Sequence, residues 1–170
     1  RKGAIRMCVD PDWMPMERIR QGHHEGIAAD FMALFAAQLN VPIQLVSTTN
    51  WTDSLAKAKA RECDIFSLAM PTPERLEYMN FTRPYLRLPL VLATHREHSY
   101  VSDVTLIEDK PLGIVAGYAF NEILRRKYPK MDIIDVPSLP EGLRQVSQGE
   151  LYGVIDTLAS IGYQLQRSFP

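Results

Sequence analysis

The residues whose types and spacing suit recognition chemistry are Arg75, the tryptophans Trp13 and Trp51, the turn Gly117-Tyr118-Ala119, and the pair Asp156-Thr157. Arg75 stands in Thr72-Pro73-Glu74-Arg75, where Thr72 reads as a helix N-cap and Pro73 as the first helical residue, a position at which a missing N–H is harmless. A cation in the first turn opposes the helix dipole, so Arg75 does not serve its own helix. Its planar fork matches the two oxygens of a carboxylate, and the N–H groups at the helix start favour the same anion. The competing reading is an ordinary surface pair with Glu74 or Glu77.

Elements must exist to position these groups, and the chain alternates strand and helix signals. Ala4 to Val9 is an apolar run stopped by Asp10-Pro11-Asp12-Trp13-Met14-Pro15. A polar stretch continues through Glu25, and Gly26 then opens a helix that places Ile27, Phe31, Leu34, Phe35 and Leu39 on one face, closed by Asn40 and Pro42. Ile43 to Val46 is the next strand, Thr52 or Asp53 caps a short helix, and Asp64 to Leu68 is the third strand before Thr72. This is a βαβαβ order with parallel crossovers. Leu88 to Thr94 is extended, and the polar residues His95 to Ser102 read as a connector. A second unit repeats the pattern: strands at Leu112 to Ala116, Met131 to Val136 and Tyr152 to Ile155, and helices at Phe120 to Tyr128, around Leu143 to Ser147, and through Leu158, Ile161 and Leu165. The stretch from Val41 to Ala69 and that from Tyr128 to Ala159 share one order of proline, strand, polar loop, short helix and strand, a loose pseudo-repeat.

Two similar α/β units predict a cleft, and ligands collect beyond the carboxyl ends of parallel strands. Trp13, Trp51, Met70 to Arg75, Gly117 to Ala119 and Asp156-Thr157 all follow predicted strands. Composition excludes other partners. The chain has 170 residues, a formal charge of −1 and dispersed Lys and Arg, which gives no basic stripe for nucleic acid. No apolar run approaches the roughly 20 residues of a membrane-spanning helix, and Arg1-Lys2-Gly3 leads straight into a strand. The spacing of Cys8 and Cys63 fits no zinc or redox motif and demands no bridge, so packed free thiols are expected.

Residues 5 to 166 resemble the type II periplasmic solute-binding fold of the polar amino-acid binding family, the two-lobed flytrap module of transporters and extracytoplasmic sensors. The resemblance rests on IRMCVDPDWMPME, GIAADFMALFAAQL, the NWTDSL turn, DIFSLAMPTPERLEYMNFTRPYL, VAGYAFNEILRRKYP and GLRQVSQGELYGVIDTLASIGYQL, in that order. It implies an α/β architecture of two mainly parallel sheets flanked by helices, with residues 1–90 as one lobe, 91–105 as a hinge and 106–170 as the second. It further implies that Arg75 binds a ligand carboxylate beside Thr72, that Trp13 and Trp51 flank the ligand, and that Gly117, Tyr118 and Ala119 offer backbone N–H groups. Two positions depart from the family: Met70 replaces a small hydroxyl residue, and the aspartate expected for an ammonium falls on Thr157 with Asp156 adjacent. The resemblance also implies a return segment to the first lobe, absent from this sequence, so exposed apolar surface and self-association through that lobe are expected.

The texture of the second half is closest to flytrap modules of membrane-bound histidine kinases and diguanylate cyclases. The expected function is therefore a periplasmic or extracytoplasmic sensor for a small carboxylate or amino-acid-like solute, signalling by closure to a membrane-anchored region of the same inner-membrane protein. Alternatives are the solute receptor of an ABC permease, a protein-interaction domain with a vestigial cleft, and a dehydratase-like enzyme using Asp156, Asp10 or Asp12. No nucleophile elbow, zinc helix or phosphate loop is present, so neither catalysis nor a cofactor is expected. His95 and His98 flank Glu97 without a third ligand, and the adjacent His23-His24 side chains diverge, so no metal is expected. Trp51 has a second reading as packing for the helix it precedes, and Asp156 as a cap for the last helix.

Overall fold

A short apolar strand buries both its faces only inside a sheet, and strand β1 (Ile5–Cys8) takes the central place in a three-stranded parallel sheet. The computed structural model describes residues 3–168 and divides into two units, one through Met70 and one from Pro71. Arg1 and Lys2, read as leading into the first strand, lie outside the described residues. After β1 come β2 (Asp12–Trp13), β3 (Glu17–Arg20), β4 (His23–Glu25), helix α1 (Ile27–Leu39), β5 (Ile43–Leu45), helix α2 (Trp51–Lys59) and β6 (Ile65–Phe66). Strand β1 pairs with β5 at Met7↔Leu45 and with β6 at Met7↔Ile65, which is the predicted βαβαβ crossover. Met7, Cys8 and Val9 are all buried.

The polar stretch through Glu25 is not a plain loop. It folds into an antiparallel ribbon of β2, β3 and β4, turned by Gln21 and Gly22 at φ 51° and 79°. Two successive residues at positive φ make the hairpin turn whose twist suits the flanking strands. The ribbon also starts α1. Pro15 and Met16 carbonyls accept the N–H groups of Ile27 and Ala28, at 3.1 and 2.9 Å, so the helix needs no side-chain cap. Gly26, at φ 112°, permits this approach, because a Cβ there would stand 2.5 Å from the Met16 oxygen. Anchored this way, α1 turns Ala28 and Met32 inward, while Leu34 and Leu39 are 61% and 60% exposed. The predicted helix is therefore present with Asn40 as its left-handed C-cap, but its buried row is displaced from the predicted one.

Helix α2 starts earlier than predicted. Asn50, not Thr52 or Asp53, is the N-cap: its Oδ1 accepts the Asp53 N–H at 2.8 Å, and Asp53 Oδ2 accepts the Thr49 N–H at 2.9 Å. This reciprocal arrangement is worth about 1 kcal/mol. The Thr49 N–H also holds the Asp53 carboxyl below its ordinary pKa. Ser54 Oγ donates to the Val9 carbonyl at 2.7 Å and ties α2 to the end of β1. The expected free thiols are instead a disulfide: Cys8 and Cys63, with Cα atoms 5.7 Å apart, bridge the end of β1 to the residue pair leading into β6. Burial of two cysteines in a sheet interior looks the same in sequence whether or not they meet.

The second unit contains α3 (Pro73–Leu76), β7 (Leu90–Thr94), a 3-10 turn (Val104–Ile107), β8 (Leu112–Val115), α4 (Ala119–Lys127), β9 (Ile133–Val136), α5 (Leu139–Ser147), β10 (Gly153–Thr157) and α6 (Leu158–Ser168). Its sheet has the order β7-β10-β8-β9, with β8, β9 and β10 parallel and β7 antiparallel to β10 along Leu90↔Thr157 to Thr94↔Gly153. Residues 91–94, expected within a connector, are thus part of a strand of this sheet. The pseudo-repeat is visible in topology: β5-β1-β6 in one unit matches β9-β8-β10 in the other. Helix α5 begins at Leu139 rather than near Leu143, capped by Ser138 with Pro140 in its first turn.

On α5, Glu141 accepts from Arg144 Nε at 2.8 Å and from Gln145 Nε2 at 3.0 Å, and these bonds depress its carboxyl to about 2. A depressed carboxyl contributes stability that is present above the ordinary value of 4.5 and is lost as pH falls through about 2. An NMR titration should place the Glu141 carboxyl midpoint near 2, and Arg144→Met should return it toward 4.5. A midpoint unmoved by that substitution would show that Arg144 is not the cause.

Candidate ligand-binding groups on each unit

Thr72, Pro73 and Arg75 form the predicted helix start. Thr72 is the N-cap of α3, its Oγ1 accepting the Arg75 N–H at 3.2 Å, and Pro73 occupies the first turn. Thr72 and Arg75 are buried, at 2% and 5% exposure. Arg75 is therefore not an exposed surface arginine. Its Nη2 donates to the Gly117 carbonyl at 2.8 Å. Burial pushes the guanidinium below its ordinary pKa, against the opposing pull of Tyr78, Glu122 and Glu74.

Gly117 sits at φ 76° in the turn between β8 and α4 and is exposed. Tyr118 is the N-cap residue of α4 without a side-chain cap bond, and its ring meets Phe120 edge-on at 5.3 Å. Tyr118 and Ala119 are both buried. At the end of β10, Asp156 is wholly buried and Thr157 is 3% exposed. Asp156 Oδ1 accepts the Thr157 N–H at 2.6 Å. Thr157 Oγ1 donates to Ser160 Oγ at 2.9 Å and accepts the Ser160 N–H at 3.3 Å, so Thr157, not Asp156, caps the last helix.

Trp13, Trp51 and Met70 belong to the first unit. Trp13 is half-buried on the ribbon, in register with Glu17 of the next strand. Trp51 opens α2 at 7% exposure with its ring 5.1 Å from that of Phe66, which is the packing arrangement of its two readings. Met70 is 41% exposed. The structure thus joins Arg75 to Gly117 and Asp156 to Thr157, and leaves the two tryptophans on separate elements of their unit.

A cluster missed in sequence lies at the ends of β1 and β6. Glu17 has no exposed surface. Its Oε1 accepts the Asp10 N–H at 2.9 Å, and its Oε2 meets His24 Nε2 at 3.0 Å and accepts a short bond from Ser67 Oγ. Asp10 and Ser67 are themselves buried. Asp12, beside them, has its carboxyl raised by burial against the pull of Arg18. The hairpin signal Gln21-Gly22 between ERIR and HHE could have located the ribbon, but a glutamate among polar neighbours carries no mark of burial. Among the described residues no group of three metal-ligating side chains converges, and no helix is long and apolar enough to cross a membrane.

The model of the bacterial extracellular solute-binding proteins, family 3, matches residues 5–159. The virulence sensor protein BvgS of Bordetella pertussis is 22% identical over 144 residues, covering 85% of this chain and 12% of that protein. The chain therefore spans only a small part of the length of that relative. The solved periplasmic VFT2 domain of the same sensor superposes with a TM-score of 0.84 at 21% identity, over 98% of this chain and 72% of that one. An arginine-bound ArgBP from T. maritima gives 0.81 at 16% identity, over 98% and 79%. These likenesses show the fold, the two-lobed α/β architecture of periplasmic binding proteins.

Proposed function

The chain belongs to the bacterial extracellular solute-binding proteins, family 3, and on that premise we propose that it is an extracytoplasmic sensor module for a small carboxylate or amino-acid-like solute. The observation that carries this reading is Arg75, a guanidinium 5% exposed at a capped helix start, donating to a backbone carbonyl. A neutral carbonyl satisfies one arm of the fork at roughly 0.5–1.5 kcal/mol, whereas a carboxylate takes charge-assisted bonds of roughly 1.5–3 kcal/mol each. A ligand carboxylate in place of the Gly117 oxygen would exchange a neutral bond for a charge-assisted one. The differential contact supplies the free energy that shifts the module between states.

The module's output goes to a membrane-anchored signalling region of the same protein, a reading supported by the sensor among its relatives. Its action is read as binding rather than catalysis, in line with the solute-binding family that it matches and the sensor among its relatives; of the candidate acids Asp156, Asp10 and Asp12, Asp156 has no exposure and has Oδ1 engaged by Thr157. Thermal melting against L-arginine, L-glutamine, L-glutamate, acetate and succinate tests the reading. A true ligand at a hundred times its Kd adds about 2.7 kcal/mol, which for a chain of this size raises Tm by about 5 to 10 °C. A flat response across the panel would count against a small carboxylate or amino acid as the stimulus.

A further inference from the structure

Glu17 combines features that ordinary packing does not require. It is a carboxylate without exposure, it sits on a ribbon outside the parallel sheet, and its bonds reach three separate segments. Asp10 follows β1, Ser67 follows β6, and His24 belongs to β4. Removing the carboxylate from water is unfavourable, and only this full set of donors offsets it. Asp10 and Ser67 mark the carboxyl ends of two parallel strands, the edge at which such sheets hold ligands. Glu17 is also the in-register partner of Trp13 in the antiparallel ribbon. Directly opposed residues share one face with Cβ atoms about 5 Å apart, so the anchor acts at the very pair that carries the indole.

We propose that Glu17 is the positioning residue for Trp13, fixing the indole against the strand ends of the first unit and thereby setting ligand affinity. The inference rests on the solute-binding reading for its ligand arm alone. Glu17 has no exposed surface with which to meet a ligand. It acts by pinning the Trp13 backbone pair through the Asp10 N–H, Ser67 Oγ and His24 Nε2. Asp10 N–H and Ser67 Oγ–H donate to its oxygens, and the His24 tautomer that carries its proton on Nε2 makes the third donor. A glutamine keeps the shape and the acceptor for Asp10, and its amide is accommodated by rotating the Ser67 hydroxyl and exchanging the His24 tautomer. An alanine removes everything.

The experiment uses a Trp51→Phe background, in which Trp13 is the sole tryptophan. Glu17→Ala is expected to move Trp13 emission to longer wavelength and roughly double acrylamide quenching, well below Tm, because a desolvated anchor is lost. Glu17→Gln should restore quenching close to the background value, a rescue that a role in bulk stability does not predict. Affinity for whichever panel compound binds the background should fall about tenfold in Glu17→Ala and recover in Glu17→Gln. Quenching unchanged in a folded Glu17→Ala, or equal in the alanine and glutamine variants, would overturn the proposal. Should Glu17→Ala not fold, Ser67→Ala and His24→Ala each remove one donor, and quenching unaltered in both overturns it equally. If no compound binds the unsubstituted chain the solute-binding reading fails, while the Trp13 quenching still decides the role of Glu17.

Discussion

Arg75→Ala is expected to cut the melting response to a carboxylate that the native chain shows by about half or more, with a loss of affinity of about 10- to 150-fold. The range follows from a charge-assisted bond of about 1.5–3 kcal/mol. The unliganded variant should melt within a few degrees of the native chain, because two effects oppose each other. Deletion removes a hydrogen bond to Gly117 worth about 1 kcal/mol, but it also removes a desolvated cation whose charged form burial disfavours. Gly117 is exposed, so water takes over its carbonyl. Arg75→Lys should fall between the two, since an ammonium keeps the charge and loses the planar fork. Differential scanning with and without ligand checks all three. An equal ligand shift in native and Arg75→Ala protein would remove Arg75 from recognition.

Reduction of the Cys8–Cys63 disulfide is expected to lower the stability of the first unit by about 4 kcal/mol. The bridge spans a sequence separation of 55, and chain-entropy bookkeeping for a loop of that length gives that figure. For a unit of under a hundred residues the loss corresponds to roughly 15 to 30 °C in Tm, enough to unfold a domain of ordinary stability. The bridge lies wholly within the unit ending at Met70, so the second unit should keep its melting temperature. Calorimetry with a phosphine reductant should therefore split the unfolding into two transitions, only the lower of which responds to the reductant. Cys63→Ser should reproduce the reduced profile. Coincident profiles in both redox states would mean that the bridge contributes nothing. An extracytoplasmic location provides the oxidising surroundings in which such a bridge persists.

Local chemistry was legible in the sequence wherever one residue decides it. Thr72 and Pro73 announce α3, Asn40 and Pro42 end α1, and the alternation of strand and helix gives the parallel crossovers of both sheets. Features that depend on contacts far along the chain were not legible. Nothing near Cys8 marks Cys63 as its partner, and the row of α1 that faces inward is chosen by the carbonyls of Pro15 and Met16 rather than by its own periodicity. The Asn50 cap was hidden because Thr52 and Asp53 are equally good capping types, and only backbone geometry selects among them. The same holds for the site groups. Arg75 stood out by conflict with its helix dipole, whereas Glu17 sits among charged neighbours and differs from them only in what the fold places around it.

The antiparallel pairing of β7 with β10 has a consequence for how the chain is made. Thr94 cannot meet Gly153 until β8, α4, β9 and α5 have all been synthesised, so the second sheet stays open until nearly the whole described chain has emerged. Pairings so distant in sequence form slowly, because loop closure precedes their reward. The first unit needs nothing beyond Met70 for its sheet and its bridge. During vectorial emergence it can condense and oxidise while the later segment is still threading out, and the edges of β7 and β8 that await β10 are the surface that a chaperone would have to shield in the interval.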